Sequence, residues 1–459
     1  MIESDTCVIG AGPAGYSAAI TASQLGAKVV LLEREQLGGT CLNYGCIPTS
    51  VVSESVDMIR LSKKGESFGI KLGMSEIDPN TIMLRAENVK RTLCEGLREV
   101  LKSNNIIYKV GKAEVLDRHQ IRVEGKSGSF ENIVFDSLIV ATGSRPQRRF
   151  ESSRVIADRD TFAQRIPEGD VVVLGGNPVG VKLAYLLNYL GCKVTVLEKS
   201  QRILPAFDRE ISSRLKRSLT TQGITFMEAR NVREAKERGD SVQLFPDSGE
   251  AINASLVIDT EREAETHSVS ALGLTLTEKG FIHVNEHLET SCSGIYAAGD
   301  VTGCTSASEA YMHGRIAGQN VNGLSSSSST IVPRCVHVRP EAASLGLTED
   351  EARSRGTEIA VGKFPLGASG KAQAMGEPEG FAKLVSDVST REILGVHLLG
   401  PGAVDLISIA CVAMELEATP QTLAAVVYPH PVLSESLREA ALHSIGLPLH
   451  IPMNRRRIG

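Results

Sequence analysis

"VIGAGPAGYSAAITASQLGAKVVLLER", residues 8 to 34, is matched 165 positions later by "VLGGNPVGVKLAYLLNYLGCKVTVLEK", residues 173 to 199. Gly10 aligns with Gly175, Pro13 with Pro178, Gly15 with Gly180, Gly26 with Gly191, Lys28 with Lys193 and Glu33 with Glu198. Each copy runs from a β-rich apolar stretch through a glycine turn and a helix-period segment into a second apolar run ending in an acid. That order is the βαβ dinucleotide-binding pattern. Its glycines let the backbone turn sharply and approach a pyrophosphate, which rests on the helix N-terminus. The terminal acid accepts hydrogen bonds from a ribose. A single glycine loop is weak evidence. Two in one chain, each with strands and acid in place, predict two dinucleotide cofactors passing electrons between them.

The copies differ in one position. The first has Gly10, Gly12 and Gly15, whereas the second carries Asn177 at the middle glycine. Asparagine tolerates left-handed backbone geometry better than most residues, but its side chain is expected to crowd an approaching phosphate. The first loop is therefore the better pyrophosphate site.

Composition sets the background. The chain has 459 residues, 42% of them apolar and 22% charged, with a formal net charge of -5. That length accommodates two or three domains, and the charge advertises no nucleic-acid face. The one tight basic cluster, "NRRRIG" (454 to 459), reads as a solvated tail. No apolar run approaches the roughly 20 residues of a membrane span, and the opening "MIESDTCVIG" has no basic secretory n-region. Nine cysteines, an odd and mostly scattered set, suit a reducing compartment. The expectation is a cytoplasmic protein without membrane, nucleic-acid or metal partners.

Against that background, "GGTCLNYGCIPTS" (38 to 50) holds Cys41 and Cys46 five positions apart. A staple closing so short a loop contributes only about 2 kcal/mol by the chain-entropy relation. A metal site needs further ligands, and no second close cysteine pair appears in the sequence. Chemistry favours a reactive pair, with the structural and metal readings still open. Two more apolar runs, "LIVATGSRP" (138 to 146) and "GIYAAGDVTG" (294 to 303), end in small residues where a ligand can come close. The polar stretch "NGLSSSSSTIVP" (322 to 333) reads as a flexible linker before a last segment of roughly 125 residues.

Taken together, "GAGPAG", "GGTCLNYGCIP", "ATGSRP", the second glycine loop, "YAAGDV", "GLTEDEA" and "HPVLSESLREAAL" resemble the flavin-dependent pyridine nucleotide-disulfide oxidoreductases. The resemblance runs from residue 8 to residue 442 and is closest to the branch that oxidises dihydrolipoyl groups. It implies an α/β fold with two doubly wound Rossmann-like dinucleotide-binding domains and a C-terminal α+β dimerisation domain. The expected boundaries are 1–145 with 270–330 for FAD, 146–269 for NAD, and 333–459 for the interface. The implied assembly is a homodimer whose active site is shared between subunits, serving a lipoyl-bearing carrier protein.

The resemblance also implies residue roles. Gly10, Gly12, Gly15, Glu33, Gly39, Thr40, Ala113, Thr142, Gly143 and Asp300 would hold FAD. Gly175, Gly180, Lys182 and Glu198 would hold NAD, with the Glu198 charge disfavouring a 2′-phosphate. Cys41 would exchange with substrate and Cys46 would lie against the flavin. His430, oriented by Glu435, would move the proton that thiol chemistry requires.

Several positions depart from the family pattern. Thr49 and Ser50 stand where a lysine usually follows the second cysteine, and Lys182 stands where its glutamate partner belongs. One inference is that the cation has changed sides and still reaches the flavin edge, where it would raise the potential. The stretch "LVIDTEREAETHS" (256 to 268) lacks the usual Gly-Arg-x-Pro-Asn turn, and Tyr428 replaces a common histidine. With Asn177, these changes put NAD use in question. Alternatives are the same dithiol chemistry on another disulfide or with a non-NAD acceptor, or a flavin-loaded structural or regulatory subunit.

Overall fold

The computed structural model describes residues 1–71, 76–163, 165–304 and 306–452; the basic stretch 454–459 lies outside them. The chain divides into two compact units, residues 1–167 with 258–329, and residues 168–257 with 330–459.

The first unit is built on the strand Ile2–Ile9, whose Cys7, Val8 and Ile9 are all buried. Strands buried on both faces read as unbroken apolar runs, as Cys7 to Ile9 do at the C-terminal end of this one. Parallel pairing to Val29–Glu33 and to Phe130–Val140 places it in the centre of the sheet. Ile107–Val110 extends one side, pairing in parallel with Val29–Glu33. On the other side the long strand Phe130–Val140 serves two neighbours. Its first half pairs antiparallel with Gln120–Glu124, and its last residues pair in parallel with Ile295–Ala297. Alternate side chains feed two cores: Cys7, Ile9, Leu32 and Leu138 on one face, Val8, Leu31 and Ile139 on the other. Full burial of a leucine such as Leu31 contributes about 2 kcal/mol.

Small residues decide how the helices lie on this sheet. The helix Pro13–Gln24 opens with proline, whose missing N–H costs nothing in the first turn. It packs against Ala307–Asn320, and a Cβ at Gly314 or Gly318 would stand 2.2 Å from Ala14 O or 2.6 Å from Ala18 O. Only glycine allows that approach.

The second unit contains the repeat. Asp170–Leu174 and Lys193–Leu197 are parallel neighbours, with Thr225–Met227 beyond, and the helix Pro178–Tyr189 crosses between the first two. The C-terminal part is an antiparallel sheet in the order 334–336, 342–346, 393–399, 381–387, 359–365, backed by the helices Ala403–Glu415 and Glu435–Ser444. A buried cation ties the two parts together. Lys383 reaches both carboxylate oxygens of Asp208, at 3.0 and 3.1 Å, and Glu349 at 3.4 Å.

The architecture is the α/β arrangement with two glycine-loop folds and a C-terminal α+β part. One expectation fails. The serine-rich stretch is held rather than flexible: Ser326 N donates to Asn320 Oδ1, Asn320 Nδ2 donates to Ser326 O, and Ser328 N donates to Glu286 O. Polarity suggested a loose linker, but the neighbouring Asn320 side chain and the backbone of Glu286 supply partners for its backbone.

Candidate active site

The first glycine loop forms where Ile9 leaves the sheet. Gly10 has φ +97°, and a Cβ there would lie 2.2 Å from Ala141 O. Gly15 sits where a Cβ would run into Gly10 O. Gly12 is the helix N-cap and offers no side-chain cap, so the first-turn amides face an open cradle. Gly39 closes that cradle, its own Cβ position lying 2.7 Å from Gly12 Cα. Glu33 is buried and accepts from Ala11 N and Glu35 N, both at 2.8 Å. This loop fits a dinucleotide pyrophosphate.

The second loop repeats the frame atom for atom. Glu198 accepts from Gly176 N and Ser200 N, both at 2.6 Å, and Gly180 would clash with Gly175 O if it bore a Cβ. The difference is at Asn177. Its φ of -75° is ordinary extended backbone rather than left-handed, and its Oδ1 accepts from Gly180 N at 2.9 Å. The expected crowding takes the form of a self-cap: the side chain occupies an amide that a phosphate would otherwise use. Lys182 lies on the same helix, half-buried, and its charge, after burial itself, helps hold His337 below the usual histidine range.

Cys41 belongs to the short helix Gly39–Asn43 and Cys46 opens the helix Cys46–Lys64. Between them the chain doubles back, with Tyr44 N and Gly45 N both donating to Thr40 O at 2.9 and 2.7 Å. Four residues the sequence did not single out accompany this turn. Asn43 is buried and donates to Leu37 O and Gly39 O. Arg159 covers the Tyr44 ring at 4.2 Å. Tyr16 and Tyr311 meet hydroxyl to hydroxyl at 2.5 Å. Burial first, then the Tyr16–Tyr311 contact and the charges of Cys41 and Cys46, push the Tyr16 phenol up, so the pair flanks the two sulfurs. Thr49 spends its hydroxyl on Gly45 O and Cys46 O and supplies no charge.

The remaining expected flavin residues share this unit. Ala113 is buried in the strand Lys112–Val115. Thr142 donates to Glu265 O at 2.5 Å, and Gly143, φ +74°, faces open space. Asp300 accepts from Ser144 Oγ at 2.7 Å, and Arg262 donates to Ser144 Oγ and O and to Asp158 Oδ1. The altered segment thus forms a charged brace in place of a glycine turn. Arg262–Ala264 pairs antiparallel with Ser144–Pro146, and Arg149 grips Asp259 at 2.8 and 2.9 Å.

His430 lies just before the helix Glu435–Ser444. Its Nδ1 faces both Glu435 oxygens at 3.1 and 3.2 Å, while its side chain is 80% exposed. Burial would raise the Glu435 carboxyl, but Val432 N–H, His430 and Arg438 outweigh it and hold the group below the usual carboxylate range. Tyr428 buries its hydroxyl without a hydrogen-bond partner among the described residues.

Two glycine loops, a cysteine pair on a braced turn and a carboxylate-held imidazole define a flavin-linked dithiol oxidoreductase. Residues 4–314 match the pyridine nucleotide-disulphide oxidoreductase model and residues 332–441 match the dimerisation domain of the same family, to which the chain belongs. It is an FAD- and NAD-linked enzyme, and the dimerisation domain supports a homodimer with a shared active site. The dihydrolipoyl dehydrogenase of Bacillus subtilis (strain 168) is 35% identical, covering 98% of this chain and 99% of its own. That of Thermus scotoductus is 37% identical, covering 95% and 96%. Among solved structures, LpdA from Mycobacterium tuberculosis superposes with a TM-score of 0.88 at 25% identity, covering 95% of this chain and 99% of its own. The Cu(II) complex of the flavoprotein disulfide reductase RclA from Escherichia coli gives 0.85 at 26%, covering 96% and 99%.

Proposed function

We propose that this enzyme oxidises dihydrolipoyl groups on a carrier protein, with Cys41 and Cys46 as its redox dithiol. The observation that carries the reading is the braced turn holding both cysteines beside a glycine cradle built for a dinucleotide. Glu435 fixes His430 through Nδ1, leaving Nε2 to take the proton of an incoming thiol. The thiolate attacks Cys41 of the Cys41–Cys46 disulfide, the bond between them breaks, and Cys46 leaves as thiolate. The second substrate thiol then displaces Cys41, closing the oxidised lipoyl ring and leaving the enzyme with both thiols reduced. FAD held at Gly10, Gly12 and Gly15 would supply the acceptor for this electron pair, and NAD held at Gly175 and Gly180 would supply its outlet.

Gly10, Gly12, Gly15, Glu33, Gly39, Thr40, Ala113, Thr142, Gly143 and Asp300 would hold FAD, and Gly175, Gly180, Lys182 and Glu198 would hold NAD. We divide the chain at 1–145 with 270–330, 146–269 and 333–459. Four exposed apolar side chains of the C-terminal part, Val412, Leu416, Val426 and Val427, suit burial in a dimer. In that dimer His430 would serve the dithiol of the other subunit, which accounts for its exposure. No helix among the described residues is long and apolar enough to cross a membrane, and we place the enzyme in the cytoplasm.

The Asn177 self-cap favours a second reading, in which the dithiol chemistry is kept and the acceptor is not NAD. Steady-state assay separates them. FAD-loaded protein with dihydrolipoamide and NAD should form NADH, and Cys41→Ser should abolish it. NADH formation unchanged in Cys41→Ser would refute the dithiol assignment, and dihydrolipoamide oxidation coupled only to an artificial acceptor would favour the second reading.

A further inference from the structure

Cys304, Glu309 and His313 bring one thiol, one carboxylate and one imidazole together outside the site described above. Their ligand atoms all lie within 4.8 Å of one another. Local structure explains the convergence. Gly303, φ +94°, turns the chain just before Cys304, and Ser306 caps the helix Ala307–Asn320 through Glu309 N. Glu309 and His313 then stand one helical turn apart, four residues, on one face. His313 Nδ1 is the meeting point: Cys304 Sγ lies 3.5 Å from it and Thr302 Oγ1 lies 3.4 Å from it.

These distances suit a metal. With Zn–S of about 2.3 Å and Zn–N of about 2.0 Å, a tetrahedral centre sets sulfur and nitrogen roughly 3.5 Å apart. That is the spacing already present.

We propose that Cys304, Glu309 and His313 form a binding site for a borderline-soft divalent cation of the zinc class. One sulfur, one nitrogen and one carboxylate oxygen match that cation's ligand preferences. Three protein ligands leave a fourth position for water, with the Thr302 hydroxyl beside it. Binding exchanges the Cys304 thiol proton for the metal and releases the proton to solvent. All three ligands are half-buried, sheltered but within reach of an entering ion. Ligation would tie the turn Asp300–Thr302 to the helix that follows. The inference does not depend on the substrate proposed above.

The test uses FAD-loaded protein carrying Cys41→Ser and Cys46→Ser, so that the dithiol cannot compete for metal. Cobalt(II) alone is titrated without reductant, then zinc(II) alone is added. The expected result is one cobalt per chain with thiolate-to-cobalt charge transfer and tetrahedral ligand-field bands, all displaced by zinc. Adding Cys304→Ser should remove the charge transfer, and adding His313→Gln should weaken binding by at least tenfold. Retained flavin and an unchanged melting temperature certify that the variants are folded, and Glu309→Gln replaces any that is not. Absence of stoichiometric binding at micromolar metal would overturn the proposal, as would binding that Cys304→Ser, His313→Gln and Glu309→Gln all leave intact.

Discussion

Replacing His430 by glutamine should lower kcat/KM for dihydrolipoamide by roughly 10²- to 10⁴-fold, the usual loss for a positioned acid-base group. Flavin content should stay unchanged, because His430 and the proposed FAD residues belong to different compact units. Stopped-flow reduction of the flavin checks this, and an unaltered rate would remove His430 from the mechanism. Residues of this kind were legible in the sequence because their chemistry is carried by short motifs: the cysteine spacing, the glycine loops and the "HPVLSE" segment. The braces were not. Tyr311 meets Tyr16 from 295 positions away, and Arg262 reaches Ser144 from 118. Nothing local in the sequence marks either as a partner.

At the scale of elements, the two glycine loops show how one substitution alters an otherwise repeated frame. Glu33 and Glu198 hold their loops by equivalent pairs of amides, but only the second helix caps itself, through Asn177 and Gly180 N. Asn177→Gly should cost a few tenths of a kcal/mol in stability. It should also tighten NAD by roughly tenfold, the value of one amide returned to a phosphate. Equilibrium dialysis of NAD against wild type and variant checks this, and equal affinities would show that the cap opens freely. The sequence placed Asn177 correctly as the odd position. It misjudged the backbone, because the residue's polar side chain found an intrahelical partner and needed no unusual φ.

For the whole molecule, the second unit carries a buried histidine whose protonation couples stability to pH. His397 is fully buried between Ser344 Oγ, 2.6 Å from Nδ1, and Leu347 O, 3.0 Å from Nε2. Burial pushes it down to about 4, against about 6.5 in an unfolded chain. Between those values the unfolded chain binds the extra proton, so stability is intact above about pH 6.5 and falls as pH drops toward 4. The loss is about 3 kcal/mol. Chemical denaturation in that window should show it, and a His397→Gln variant should have the flatter profile; parallel profiles would refute it. Such coupling is invisible in the sequence, where His397 lies in an ordinary apolar strand and its partners are 50 or more residues away. The fold class was readable because its repeat is local. The division into compact units was not, since it depends on contacts such as Lys383 with Asp208, 175 positions apart.

An anaerobic two-step titration of the FAD-loaded enzyme follows the electron pair from dithiol to nicotinamide. Dihydrolipoamide added first should raise the long-wavelength absorption of a thiolate beside flavin, and NAD added second should discharge it with one NADH formed per dithiol consumed. The same absorption should be lost in Cys46→Ser. Flavin reduced by dihydrolipoamide without that absorption, or an absorption that NAD leaves untouched, would contradict the path from dithiol through flavin to NAD.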